Sequence, residues 1–168
     1  TVAIVGCGPI GLIGVNIAKV LGAKKIIAVE VNDYRIEKAK ALGANVVINP
    51  LKEDVIERVL QETNRKGVDV VAEFSGKKSA IEAAFKYVKK GGKLSMLGIG
   101  NGNLEINFSD DIVFKGISIY GVTGREMFRS WEQTRMLLDS GKMNLDQIVT
   151  HVYPMDKMEE AMAKMMSG

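Results

Sequence analysis

Three glycines, Gly6, Gly8 and Gly11, interrupt two apolar segments in the stretch GCGPIG. Glycine weakens helices and strands alike, so their repetition points to something that needs a backbone without side chains. The spacing is G-x-G-x-x-G, and a carboxylate, Glu30, follows 19 residues after Gly11 in AVEVND. With 18 glycines in 168 residues, the glycine spacing alone arises by chance in about one such chain in five. The context is what carries the reading: a strand before the motif, a helix after it, and an acid at the end of the next strand. In that setting Gly6 permits a tight turn, Gly8 lets the backbone approach a pyrophosphate, and Gly11 lets the helix pack on the strand. Pro9 suits the first helical position, and the free N–H groups of that helix end favour an anion.

A carboxylate at Glu30 would accept hydrogen bonds from both ribose hydroxyls of an adenosine and repel a 2′-phosphate, which argues for NAD over NADP. Arg35, one turn into the next helix, is the complication, since a guanidinium can greet that phosphate. Glu73, Ser75 and Gly76 after the fourth strand either border the adenine or form an ordinary strand–helix turn. Cys7 is a small residue in a small-residue slot and reads as packing. Met155, Met158, Met162 and Met165 share a helix face that reads as a packing surface. The pairs Lys77–Lys78 and Lys89–Lys90 read as solvated charge. One cysteine and one histidine, Cys7 and His151, stand at opposite ends of the chain. They cannot supply a three-ligand catalytic zinc site, so no metal ligands and no catalytic residues are assigned here.

Six strands must position these residues. Apolar runs at 2–5, 25–31, 46–48, 68–72 and 93–97 alternate with helical periods at 9–21, 33–42, about 52–63 and 79–88. Asn32 is placed to cap the second helix and Gly43 to end it. This alternation implies right-handed crossovers, a parallel sheet in the order 3-2-1-4-5-6 and helices on both faces, an α/β doubly wound Rossmann fold. A polar loop at 101–110 precedes a sixth strand at 117–120. A helix over about 127–140, an extended segment at 148–153 and a last helix from Asp156 follow, with Asp156 and Glu159 in a capping-box pattern. No linker divides residues 1–168.

The formal net charge of +3 is spread evenly and argues against nucleic acid and anionic membrane partners. No apolar stretch is long enough to span a bilayer, and no secretory leader opens the sequence. A single cysteine suits a reducing compartment, which points to the cytoplasm.

VGCGPIGL, VEVNDYRIEKAKALGA and KKGGKLSMLGIG together resemble the cofactor domain of the zinc-dependent medium-chain alcohol dehydrogenases, over essentially the whole chain. Within that family, GREMF followed by a tryptophan, and IVTH further on, resemble the L-threonine 3-dehydrogenase group more than sorbitol or butanediol dehydrogenases. The resemblance implies that Ile10 lies under the pyrophosphate and nicotinamide side, and that Glu30 and Arg35 meet the adenosine ribose. It implies that Leu97, Gly98, Ile99, Val122 and Thr123 line the nicotinamide. It further implies hydride transfer from a secondary alcohol, the threonine β-hydroxyl carbon, to NAD⁺ in a zinc-containing parent. This chain would be its excised cofactor domain, inactive alone. Family members associate through this domain, so the unblunted sixth strand is expected to pair with a second copy in a homodimer, and the parent to be a homotetramer. A free-standing NAD-sensing module, and a methyltransferase using a nucleoside methyl donor, share the glycines and the acid. Gly11 opening a helix favours a pyrophosphate over a sulfonium ligand.

Overall fold

The computed structural model describes residues 1–143 and 145–167. Six strands, β1 (Val2–Val5), β2 (Ile26–Val29), β3 (Val46–Ile48), β4 (Val68–Glu73), β5 (Val88–Met96) and β6 (Ser118–Gly121), form one sheet. Their order is β3-β2-β1-β4-β5-β6 and every pairing is parallel, as the alternation of strand and helix requires. The helices are α1 (Pro9–Val20), α2 (Asp33–Leu42), α3 (Val55–Glu62), α4 (Lys78–Tyr87), α5 (Arg129–Asp139) and α6 (Met158–Met166).

Side chains alternate across a strand, and β1 shows the consequence. Ala3 and Val5 join a core with Ile27, Val29, Val71, Leu94 and residues of α3 and α4, including Val59, Ile81 and Phe85. Ile4 faces the other way, into a core with Ile26, Ala28, Leu12, Val15, Ala39 and Leu42 beneath α1 and α2. Burial on both faces explains why the central strands read as unbroken apolar runs. The helix ends follow their caps. The Asn32 side chain accepts from the Arg35 N–H at 3.1 Å, and Gly43 closes α2 with φ +119°. Asp54 does the same for α3 through the Glu57 N–H at 3.0 Å.

Several boundaries differ from the sequence reading. β5 begins at Val88, not residue 93, because α4 runs directly into it. Its pairing with β4 shifts register between Val68 and Val70, which accommodates the polar Lys89–Lys90 stretch. The loop at 101–110 ends in a π-helical turn, Phe108–Val113. That turn is anchored by Asp111, which is buried and accepts from Lys86 Nζ at 2.6 Å and the Asn107 N–H at 2.9 Å. Burial pulls the Asp111 carboxyl upward, but the Lys86 ammonium and the Asn107 N–H outweigh it and hold it below the ordinary carboxylate range.

Toward the C-terminus, residues 149–154 form no strand. The last helix starts at Met158, because Asp156 lies inside a separate 3-10 turn, Met155–Lys157. Lys157 is the cap residue and makes no side-chain cap bond, so the Asp156–Glu159 capping box does not form. Neither α5 nor α6 buries a residue, and Met155, Met158, Met162 and Met165 are all exposed. The methionine face is therefore not part of this domain's core. Among the described residues no helix is long and apolar enough to cross a membrane.

Candidate dinucleotide site

The three glycines of the β1–α1 turn are small for three different reasons. Gly6 has φ +83°, a conformation side chains resist, and a Cβ there would sit 2.9 Å from the Ser75 Cβ. Gly11 has ordinary dihedrals, but a Cβ there would fall 1.8 Å from the Gly6 carbonyl oxygen. Gly8 is different: a Cβ there would meet nothing within 4 Å. No neighbour among the described residues explains its small size, and it faces a cleft of about 670 Å³. The turn leaves a bare backbone next to open space, where an anionic ligand can reach the N-terminus of α1. Pro9 opens that helix at its first position, and the first-turn N–H groups have no partners within the helix.

Beside Gly8 in the same cleft stands Glu30, only 6% exposed at the end of β2. Its Oε2 accepts from the Cys7 N–H at 2.7 Å, and its Oε1 accepts from the N–H groups of Val31 and Asn32 at 2.8 and 3.0 Å. Three backbone N–H groups thus occupy much of this carboxylate's acceptor capacity and hold it in one orientation. Arg35 lines the same cleft, on the first turn of α2. The Cys7 thiol is fully buried beside this pair. Burial, then the Glu30 charge, pushes its pKa from 9.0 up to about 12, with Arg35 acting weakly the other way.

The opposite wall of the cleft carries Ser75, which the sequence leaves between an adenine border and an ordinary turn, together with residues the sequence does not assign to the site. Ser75 and Lys77 come from the β4–α4 connection and Ser79 from the first turn of α4, while Pro50 and Leu51 come from the β3–α3 connection and Val55 from the start of α3. Ala80, Ala83 and Tyr87 of α4 form an apolar floor. This combination suits a flat apolar base with a polar sugar and phosphates at its edge. The sequence reading had Glu73 either bordering the adenine or serving the turn. It is fully buried, and its carboxylate turns into the β4–α4 connection, where it accepts from the Ser75 and Gly76 N–H groups at 2.8 and 3.1 Å. Burial, and then the Glu73 charge, pushes the Tyr87 phenol above its ordinary range.

Thus Gly6, Gly8, Glu30 and Arg35 meet in one cleft, with Pro9, Ile10 and Gly11 in the helix turn above it. Leu97, Gly98 and Ile99 follow β5, and Val122 and Thr123 follow β6, on the same carboxyl-end edge of the sheet but outside the cleft. Their backbones are tied to the strands beside them: Leu97 and Gly98 N–H groups donate to the Glu73 carbonyl at 3.0 Å, and Val122 to that of Met96 at 2.9 Å.

A second groove, of about 480 Å³, lies at the other end of the sheet and is lined by Arg65, Lys66, Lys86, Lys89, Lys90 and Lys115. Its cations are largely engaged within the protein. Arg65 pairs with Glu57, Lys86 with Asp111 and Lys89 with Asp69, while Lys115 donates to the carbonyls of Phe85, Lys86 and Val88. Helix C-termini point here, so these charges offset carbonyl dipoles and do not build an anion site. His151 stacks on Tyr153, with ring centroids 6.2 Å apart. Among the described residues no three His, Cys, Asp or Glu side chains come together to hold a metal, so these residues do not fit a zinc site.

Comparison with known proteins agrees with this geometry. The zinc-binding dehydrogenase family profile matches residues 9–140. An L-threonine 3-dehydrogenase of Pyrococcus horikoshii is 46% identical over 169 residues, covering 100% of this chain and 49% of that protein. The solved 2R,3R-butanediol dehydrogenase of Bacillus subtilis is 32% identical with a TM-score of 0.81, over 89% of this chain and 42% of that one. A structure from Sinorhizobium meliloti 1021, solved with NADP bound, is 28% identical with a TM-score of 0.81, over 88% of this chain and 43% of that one. The chain spans about half the length of the relatives it matches. The glycine turn, the acid facing it and these likenesses lead to one conclusion: the chain belongs to the zinc-binding dehydrogenase family and is a dinucleotide-binding domain of that family.

Proposed function

We propose that this chain is the NAD(H)-binding half of a two-domain, zinc-dependent secondary-alcohol dehydrogenase that oxidises L-threonine at its β-hydroxyl carbon. The observation that carries the cofactor choice is the Glu30 carboxylate, held by three N–H groups beside the bare Gly8 backbone. A fixed negative charge there repels a 2′-phosphate and accepts a ribose hydroxyl. The first turn of α1, where Ile10 and the open Gly8 leave backbone N–H groups free, would hold the diphosphate. Leu97, Gly98, Ile99, Val122 and Thr123 hold the nicotinamide at the strand ends. NAD⁺, when bound, would supply the hydride acceptor, and the residues of this chain would fix its position and exclude water from one side of it. Any zinc of the full-length protein draws its ligands from residues outside this chain.

Identity of 46% to a threonine dehydrogenase across the whole chain supports the substrate. A polyol substrate is the second reading, supported by the likeness to butanediol dehydrogenase. We further propose a homodimer formed through β6, a homotetramer for the full-length protein, and a cytoplasmic location. Calorimetric titration with NADH and NADPH tests the cofactor reading: NADH is expected to bind more tightly, and equal affinities would refute the Glu30 assignment. The chain alone, with threonine, NAD⁺ and zinc, is expected to show no turnover, and zinc-dependent turnover would refute the half-enzyme reading.

A further inference from the structure

Glu73 is a fully buried carboxylate that contacts no solvent and lies outside the cleft. Burying a carboxylate is unfavourable unless hydrogen bonds replace its water, and here they come from one short segment. Its Oε1 accepts from the Ser75 N–H, the Ser75 hydroxyl and the Gly76 N–H, and its Oε2 lies 3.2 Å from the Gly76 nitrogen. Its own carbonyl accepts from Leu97 and Gly98. One residue therefore grips the turn after β4 with its side chain and the end of β5 with its backbone.

Both gripped segments lead onward by close contact. Ser75 lines the cleft and stands against Gly6, where a Cβ would approach within 2.9 Å. Gly76 lies against the β5 exit: a Cβ on Gly98 would fall 2.3 Å from the Gly76 nitrogen and 2.4 Å from the Glu73 Oε2. A Cβ on Gly100 would fall 2.6 Å from the Gly76 carbonyl oxygen. Three glycines thus interlock the two turns, and the Glu73 carboxylate fixes the middle one. The distance from the glycine turn at the diphosphate end to Gly98–Gly100 is set through this contact chain.

We infer that Glu73 is a positioning residue, which sets the backbone at Gly98–Gly100 relative to the Gly6–Gly8 turn and so places the nicotinamide end of the dinucleotide without touching it. The inference rests on the dinucleotide reading above. It separates the two ends of the ligand: the adenosine and diphosphate contacts are made by residues that Glu73 does not hold, apart from Ser75. Small errors of placement at a reacting centre are costly, so a buried group that fixes such a distance has a function beyond packing.

The test uses the whole 168-residue chain, isotope-labelled, with ADP-ribose and NADH as separate ligands. In the wild type, NADH is expected to shift the amide resonances of Gly98, Ile99 and Gly100 in a way that ADP-ribose does not. Glu73→Gln keeps the shape but presents an amide where Oε2 meets the Gly76 N–H. The variant is expected to bind ADP-ribose within about twofold of wild type, to lose the NADH-specific shifts, and to bind NADH at least about fivefold more weakly. Should Glu73→Gln fail to fold, Ser75→Ala removes one donor to the carboxylate and is expected to reduce the same shifts by a smaller amount. Retained NADH-specific shifts, their absence in the wild type, or a parallel loss of both ligands would overturn the inference. Failure of the wild type to bind ADP-ribose at all would instead overturn the dinucleotide reading beneath it.

Discussion

The Cys7 N–H donates to Oε2 of Glu30 across 2.7 Å, tying the glycine turn after β1 to the end of β2. The residue that is proposed to select the cofactor also holds the turn that is proposed to receive its phosphates. Binding and local architecture therefore share one carboxylate, and a substitution there reads out in both.

Glu30→Ala is expected to weaken NADH binding by about 1–3 kcal/mol, the range for removing a charged hydrogen-bonding partner. NADPH binding should fall less, or rise, because a repelling charge is removed. The variant should also melt earlier, since three backbone N–H groups lose their acceptor. Calorimetry with both nucleotides and thermal unfolding separate the effects. An unchanged NADH to NADPH affinity ratio contradicts the assignment.

Gly8→Ala and Gly11→Ala should behave in opposite ways. A methyl on Gly8 meets nothing within 4 Å, so urea stability should change by less than about 0.5 kcal/mol while dinucleotide affinity drops. A methyl on Gly11 collides with the Gly6 carbonyl oxygen, so stability should fall by about 3 kcal/mol or more. Equal destabilisation of the two would mean that Gly8 is small for an internal reason after all.

β6 is the outer strand on its side of the sheet, and Ile119 and Tyr120 are about half exposed. The Val122 N–H points to β5, so by the period of two the Ile119 N–H points outward. Ile119→Pro should therefore leave the sheet intact and remove a donor only from the open edge. Sedimentation equilibrium is expected to show a dimeric wild type and a monomeric variant. A monomeric wild type, or a variant that dimerises equally well, rules this edge out as the interface.

Asp111 carries the pH dependence of the β5–β6 connection. Its carboxyl is held below the ordinary 3.8 on folding, so its stabilising contribution is complete above that value and is lost as pH falls from there through the lower folded-state value. Asp111→Asn should cost about 1–3 kcal/mol near neutral pH. Urea titrations at descending pH should show the gap between wild type and variant closing in acid. A gap independent of pH would show that the Lys86 pair contributes nothing.

The sheet order, the glycine turn, Glu30 and the Asn32 cap were legible because each depends on residues close in sequence or on a simple period. The far wall of the cleft was not. Pro50, Leu51, Ala80 and Ala83 are ordinary loop and helix residues whose joint position depends on how α3 and α4 pack. Glu73 showed its type but not its direction, since only the fold tells whether a strand-end carboxylate faces a ligand or a buried turn. The π-helical turn at Phe108–Val113 escaped because its anchor, the Asp111–Lys86 pair, links positions 25 residues apart. The start of α6 shifted because a 3-10 turn claimed Asp156 before the helix began.

The bare surfaces of α5 and α6 have a consequence for how the domain opens. An 11-residue and a 9-residue helix that bury no side chain lack the packing that keeps short helices formed in water. Their amide hydrogens should exchange with solvent orders of magnitude faster than those of β1, β2 and β4, which open only with the whole domain. α5 and α6 should therefore be the first elements of the described chain to open, ahead of the six-stranded sheet.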